Sequence, residues 1–285
     1  MSLTSDALAE AEESEQPLTF SPMLATLTDE RFSDPDWIFE RKFDGERCLG
    51  WRDSSKLRLL SRNQKVINNS YPELVEALNK QSPSSFIVDG EIVAFEGHIT
   101  SFSRLQSRMQ IDDPERARRT GVTVYYYLFD LVRLEARDLS SIPLRQRKAL
   151  LRDAFTFKDP VRFTAHRNER GEEYFRKACA KGWEGIIAKR ADSFYEQKRS
   201  RQWLKFKCVA EQEFVIGGFT EPKGDRQGFG ALLLGFHRDG ELIYAGKVGT
   251  GFDEQALKQL RERLDTLKRK TSAFAGGESF GQRAH

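Results

Sequence analysis

A chain of 285 residues has room for two domains with separate cores, and 39% hydrophobic with 11% aromatic residues fits a globular protein. There is no run of about 18 apolar residues, so a membrane-spanning helix is not expected. Residues 1–15 are acidic and rich in Ala and Ser, unlike a secretion signal. A net charge of +3 excludes a polybasic glue and leaves nucleic-acid binding to be decided by local placement. Cys48, Cys179 and Cys208 are too few and too scattered for a disulfide framework, and His98, His166, His237 and His285 share no ligand spacing with them. Zinc is not expected, and a reducing cytoplasmic setting is.

Residues 1–18 read as a flexible tail or linker, with a short helix over 6–15 docked on the body as the alternative. The β-type runs 37–43 and 47–51 flank Asp44-Gly45, the pattern of a hairpin or tight strand turn. Strands follow at 57–61 and 86–95, with a helix at 71–80 between them in which Leu74 and Leu78 are one turn apart. A helix at 101–110, a buried strand at 122–131, helices at 143–154 and 172–181 and strands at 185–189 and 202–207 complete residues 19–207. The mixture lacks a strict βαβ rhythm, which predicts an α+β fold with largely antiparallel sheets. A second unit, 208–285, carries strands at 213–219, 230–237 and 241–248. A helix capped by Asp253 follows, with Leu257, Leu260, Leu264 and Leu267 as its apolar stripe and Lys258, Arg261 and Lys268 on a solvated face. Three strands and a helix are how a small OB-type barrel begins, and this one is expected to be incomplete.

The chemical signal centres on Lys42-Phe43-Asp44-Gly45-Glu46-Arg47. Strand alternation puts Glu40 and Lys42 on one face. A lysine that attacks phosphorus must be neutral, which burial among other cations favours, and Arg47, Arg62, Lys205 and Lys207 are the candidates. Alone, Lys-x-Asp-Gly is more often a surface turn beside a solvated lysine.

Further motifs change that balance. Ser61-Arg62-Asn63, Tyr71-Pro72-Glu73-Leu74, Asp89-Gly90-Glu91, Phe129-Asp130, Glu184–Lys189 and Trp203–Lys207 follow in order. Together with Lys42–Arg47 they resemble the motif series of the covalent nucleotidyltransferases, the superfamily of DNA ligases, RNA ligases and mRNA-capping enzymes. Residues 101–109, 199–207 and the glycine-rich run 217–251 look like the ligase domain of bacterial multifunctional end-joining ligases that work with Ku.

That resemblance implies a nucleotidyltransferase (adenylation) domain over 19–207 and an OB-fold domain after it. It implies an ATP-dependent DNA ligase of end-joining repair, bacterial and nucleoid-associated, acting on nicked or broken double-stranded DNA. Ku and a fused or separate repair polymerase or nuclease would be its partners. Residue by residue, it makes Lys42 the nucleophile that carries AMP. Glu40 would accept from the adenine amino group, Phe129 and Ile187 would sandwich the base, and Arg47 and Glu91 would hold the ribose hydroxyls. Arg62, Lys205 and Lys207 would clamp phosphates, and Glu184, with Glu91, would bind Mg²⁺ or Mn²⁺. Asp130 reads as structural.

Other basic residues are open to two readings. Arg104 and Arg108, near Arg116, Arg118 and Arg119, either track a DNA backbone or form a solvated face, and Lys223 and Arg226 sit in a loop that can touch phosphates. Two departures stand out. Gln64 occupies a turn position where many relatives carry glycine, so that turn is expected to differ. Nothing after Lys207 matches the family's closing Arg-x-Asp-Lys motif, which predicts slow adenylation from ATP. An RNA ligase or capping-type enzyme is the alternative reading, and a nucleic-acid-binding module with impaired catalysis is the rival from another class.

Overall fold

The computed structural model describes residues 8–15, 17, 19–54, 56–208, 214–222, 227–238, 240–269 and 271–275. The chain forms two compact units, 1–209 and 210–285. The first begins with strands β1 (Glu12–Glu13), β2 (Leu24–Leu27), β3 (Asp34–Lys42), β4 (Glu46–Asp53) and β5 (Lys56–Ser61), then helix α1 (Pro72–Asn79). Next come β6 (Phe86–Glu96), β7 (Ile99–Thr100), α2 (Phe102–Gln106), α3 (Pro114–Arg119), β8 (Val124–Leu134), β9 (Arg137–Asp138) and α4 (Leu144–Ala154). It ends with β10 (Val161–Phe163), β11 (His166–Glu169), α5 (Gly171–Ala180), β12 (Gly185–Arg190) and β13 (Arg199–Lys207).

These strands build two sheets. One runs β1-β9-β8-β6-β4-β5, with β10 beside β8 and β7 beside β6; the other runs β11-β3-β12-β13-β2. Among the described residues only the β10–β8 and β13–β2 pairings are parallel, so the α+β, largely antiparallel expectation holds. Leu49, Trp51 and Phe129 from the first sheet meet Trp203 from the second, together with Tyr195. Each such buried side chain contributes on the order of 1.5–3 kcal/mol. The far face of the first sheet is covered by α1 and α4 through Leu74, Leu78, Leu150 and Leu151, and that of the second by α5 through Ala178, Tyr174 and Phe175.

The expected hairpin at Asp44-Gly45 does not form. β3 pairs with β12 (Lys42 opposite Gly185), whereas β4 pairs with β5 and β6 (Arg47 opposite Glu91). Residues 43–45 therefore carry the chain from one sheet to the other. The crossing needs glycine at 45, because a Cβ there would collide with the Ile92 carbonyl and the Val93 side chain.

Three further expectations are corrected. Within 1–18, residues 8–10 are helical, Ala11 is buried and β1 pairs with β9, anchored by the Glu13–Arg137 ion pair. The helix expected at 101–110 spans only Phe102–Gln106, and Gln110 turns left-handed. Cys179 and Cys208 are joined in a disulfide that ties the last turn of α5 to the end of β13, while Cys48 is free and buried.

The second unit contains β14 (Val215–Phe219), β15 (Leu232–Arg238), β16 (Glu241–Val248) and α6 (Glu254–Asp265), with sheet order β14-β15-β16. Asp253 caps α6 by accepting from the Ala256 amide at 2.8 Å. Leu257 is buried against Phe219, Phe229 and Leu232, with Leu260 and Leu264 packed beside it. Leu267 lies past the end of the helix and is 68% exposed, so it leaves the predicted stripe. Arg261 is not merely solvated either: it pairs with Glu221 at 2.8 Å and Asp265 at 2.9 Å. Lys223 and Arg226 lie outside the described residues. Among the described residues, no helix is long and apolar enough to cross a membrane.

Candidate active site

The two sheets of the first unit leave a cavity of about 220 Å³ at the end of β3. Glu40 and Lys42 of β3, Arg47 of β4, Glu91 of β6 and Phe129 of β8 line it, with Ile187 and Lys189 of β12, Trp203 and Lys205 of β13, and Arg62 from the turn after β5. A larger cavity of about 510 Å³ is lined by Arg145, Lys148 and Arg152 of α4 with Phe163 and His166, and Lys42 is not part of it. Chemistry rather than volume identifies the site.

The register of β3 against β12 sets Lys42 opposite Gly185 and so next to Glu184. Lys42 Nζ donates to Glu184 Oε2 at 2.5 Å, and Lys207 Nζ lies 3.7 Å from Glu184 Oε1. The nearest charge to Lys42 is thus a carboxylate, where sequence reasoning expected cations. The crowding falls instead on Lys205, pushed below the ordinary lysine range by partial burial and by Lys207, Lys42 and Arg199. Asp44 is raised above the usual carboxylate range by burial and by Glu184. It accepts from the Phe102 amide at 3.3 Å, which ties the motif loop to α2. Among the described residues no three His, Cys, Asp or Glu side chains cluster closely enough to hold a metal ion. Glu184 could serve as a carboxylate ligand to a divalent cation such as Mg²⁺, which is bound through one or two carboxylates.

Glu40 is almost fully buried, with one oxygen 2.5 Å from Lys148 Nζ and the other 2.7 Å from Lys189 Nζ. Burial alone would raise its carboxyl, but the two ammoniums outweigh burial and hold it below its ordinary value. Arg47 donates to both oxygens of buried Asp89 at 2.6 Å and to the Met23 carbonyl at 2.9 Å. Tyr195 OH donates to the same carboxylate at 2.5 Å. Nε and Nη2 of Arg47 are therefore occupied, and Nη1 is the donor left for a ligand. Glu91 is pushed up to about 7, first by burial, against the opposing pull of Arg47 and Lys42.

Phe129 packs edge-on to Trp203, with the Arg47 guanidinium 4.6 Å and Lys189 Nζ 4.1 Å from its ring centroid. Ile187 shares the cavity wall. Arg62 is exposed at the cavity, and Gln64 adopts φ 60°, so the turn keeps the left-handed conformation a glycine would take. That corrects the expected difference; the β-carbon bears a strain of about 1 kcal/mol instead. Asp130 is buried and gripped by Arg147 through two contacts of 2.8 Å. Arg108 is neither a DNA contact nor solvated. It is 1% exposed and bonds Ser70 O, Val122 O and Glu73. Arg118 pairs with Glu76.

The cavity thus unites every proposed site residue except Glu184, which pairs with Lys42, and Lys207, which lies beside Glu184. Sequence reasoning missed Lys148 and Tyr195, and gave Lys189 and Trp203, though members of its motifs, no role of their own. Lys189 shares strand parity with Ile187, and Lys148 falls in the buried stripe Leu144, Arg147, Lys148, Leu151. Cations at core positions of a helix were the available signal.

This fold, two stacked sheets with a motif lysine at their shared cavity, is that of a nucleotidyltransferase ligase. Residues 22–207 match the ATP dependent DNA ligase domain, and residues 225–284 match the ATP dependent DNA ligase C terminal region. The chain is 39% identical over 266 residues to the multifunctional non-homologous end joining protein LigD of Pseudomonas aeruginosa, covering 91% of this chain and 31% of that protein. It is 35% identical over 260 residues to LigD of Mycobacterium tuberculosis, covering 89% and 32%. Among solved structures it resembles a mycobacterial DNA ligase D complexed with ATP and MES (31% identity, TM-score 0.59, 93% of this chain and 84% of that one). The ligase domain of M. tuberculosis LigD is similar at 32% identity and TM-score 0.56, with 91% and 82% covered. The chain belongs to the ATP-dependent DNA ligase family. It spans about a third of the length of the curated LigD relatives.

Proposed function

We propose that Lys42 accepts AMP from ATP and hands it to the 5′-phosphate of a break in double-stranded DNA, in end-joining repair as the relatives' names describe for them. The observation that carries this reading is the Lys42 ammonium standing against Glu184 at the mouth of a cavity that also presents Arg47, Glu91 and Phe129. Once freed from Glu184 and deprotonated, Lys42 Nζ forms a bond to the α-phosphorus while the bond to the β-phosphate oxygen breaks and pyrophosphate leaves. Lys205, Lys207 and Arg62 balance phosphate charge, Phe129 and Ile187 hold the base, and Arg47 Nη1 with Glu91 orients the ribose. A divalent cation, Mg²⁺ or Mn²⁺, when bound at Glu184 supplies positive charge against the phosphate oxygens. The DNA 5′-phosphate next takes the AMP from Lys42, and the 3′-hydroxyl then displaces AMP to seal the strand. DNA is held mainly through phosphates, so affinity falls steeply with salt. Ku would be a partner in that repair.

Incubation with α-labelled ATP and metal, followed by peptide mass measurement, tests this: the AMP adduct falls on Lys42. Labelling from GTP in preference to ATP would favour the capping-type alternative, and no adduct at all would favour a binding module.

A further inference from the structure

Lys148 lies on α4, is 2% exposed, and is not among the residues lining the cavity at Lys42. Its ammonium nevertheless ends among three acceptors: Glu40 Oε1 at 2.5 Å, the Thr164 carbonyl at 3.1 Å and the Phe129 carbonyl at 3.3 Å. Its N–H donors serve the two carbonyls, and its charge pairs with the Glu40 carboxylate. Two of its partners are the residues assigned to the edge and the face of the base, Glu40 on β3 and Phe129 on β8. These strands belong to different sheets. One buried charge therefore joins the two sheets at the base-reading end of the cavity.

We infer that Lys148 is a positioning residue for base selection: it clamps the Glu40 carboxylate and the Phe129 backbone in one geometry without touching nucleotide. The inference rests on the proposed reading of Glu40. Lys148 and Lys189 each form an ion pair with one oxygen of the carboxylate, whose lone pairs stay open to a hydrogen-bond donor. The remaining capacity points where the clamp directs it. There it accepts from an adenine amino group and meets a guanine carbonyl as acceptor against acceptor. Without Lys148 the carboxylate is held from one side only and turns toward Lys189, and the distinction between the two bases weakens.

The test compares wild type, Lys148→Met, Lys148→Arg, Glu40→Gln and Glu40→Gln/Lys148→Met. Formation of the AMP or GMP adduct is followed over a range of α-labelled ATP or GTP, with thermal melting as the folding check. Lys148→Met should lower the ATP/GTP preference about tenfold or more, the scale of one charge-assisted hydrogen bond. The loss should sit in the KM for ATP, with Lys148→Arg recovering part of it. In the Glu40→Gln background, removing Lys148 should change the preference less than about twofold, because the group it positions is already altered. An unchanged preference in Lys148→Met overturns the inference, as does a further tenfold loss in the double variant relative to Glu40→Gln. If Lys148→Met does not fold, Lys148→Arg, which keeps the buried charge, decides: a preference below wild type supports the clamp and an unchanged one overturns it. An unchanged preference in Glu40→Gln itself shows instead that Glu40 does not read the base.

Discussion

Replacing Arg147 by methionine removes a fully buried guanidinium that serves four acceptors: two oxygens of Asp130 at 2.8 Å, the Ile142 carbonyl at 2.5 Å and the Ser193 carbonyl at 2.9 Å. Asp130 is as buried as its partner, so the variant strands a carboxylate in the core. Breaking such a pair from one side costs roughly 3–5 kcal/mol, and each stranded carbonyl adds about 1 kcal/mol. Methionine returns part of the lost packing, which leaves an expected destabilisation of about 4–6 kcal/mol, a large share of a typical domain's stability. Urea unfolding followed by the fluorescence of buried Trp51 and Trp203 measures it. The double variant Arg147→Met/Asp130→Asn should recover at least about 2 kcal/mol, because the orphaned charge is gone. Arg118→Ala is the control. That residue pairs with Glu76 at 2.5 Å, but the two side chains are 39% and 60% exposed, so the loss should stay below about 1 kcal/mol. A cost for Arg147→Met no larger than for Arg118→Ala would refute the argument that burial, and not distance, sets the energy.

Lys42→Ala should form no AMP adduct while melting within about 4 °C of wild type, since Glu184 keeps Lys207 as a counter-charge; Lys42→Arg should be equally inactive, because guanidinium offers no lone pair at working pH. A normal adduct in either variant would remove Lys42 from the chemistry. Gln64→Gly should stabilise the first unit by up to about 1 kcal/mol, as relief of left-handed strain at φ 60° exceeds the entropy returned to the unfolded chain; a lower urea midpoint would contradict this. His166 is pushed down to about 4 by burial and by Lys148. Because its pKa is depressed on folding, the stability it contributes is present above about pH 6.5 and is lost as pH falls through 4. Partial exposure limits that loss to about 2 kcal/mol. His166→Gln should flatten the stability profile between pH 6.5 and 4, and an unchanged slope would exclude this group.

Local pattern alone determined a good deal. Strand alternation in 38–42 sorted Glu40 with Lys42, and helical spacing located α1, α4 and α5 within a residue or two. The ordered motifs determined the family, because each keeps its identity whatever packs against it. Tertiary structure decided what covers each face. Alternation says which side chains share a side of a strand, but not which sheet the strand joins. That is why the apparent hairpin at Asp44-Gly45 became a crossing between sheets. Likewise Arg108 read as tracking a DNA backbone or lying on a solvated face until Ser70, Val122 and Glu73, distant in sequence, supplied its partners. Burying a charge is favourable only when those partners converge, and their convergence is a property of pairing register across the fold, which no window of neighbouring residues contains.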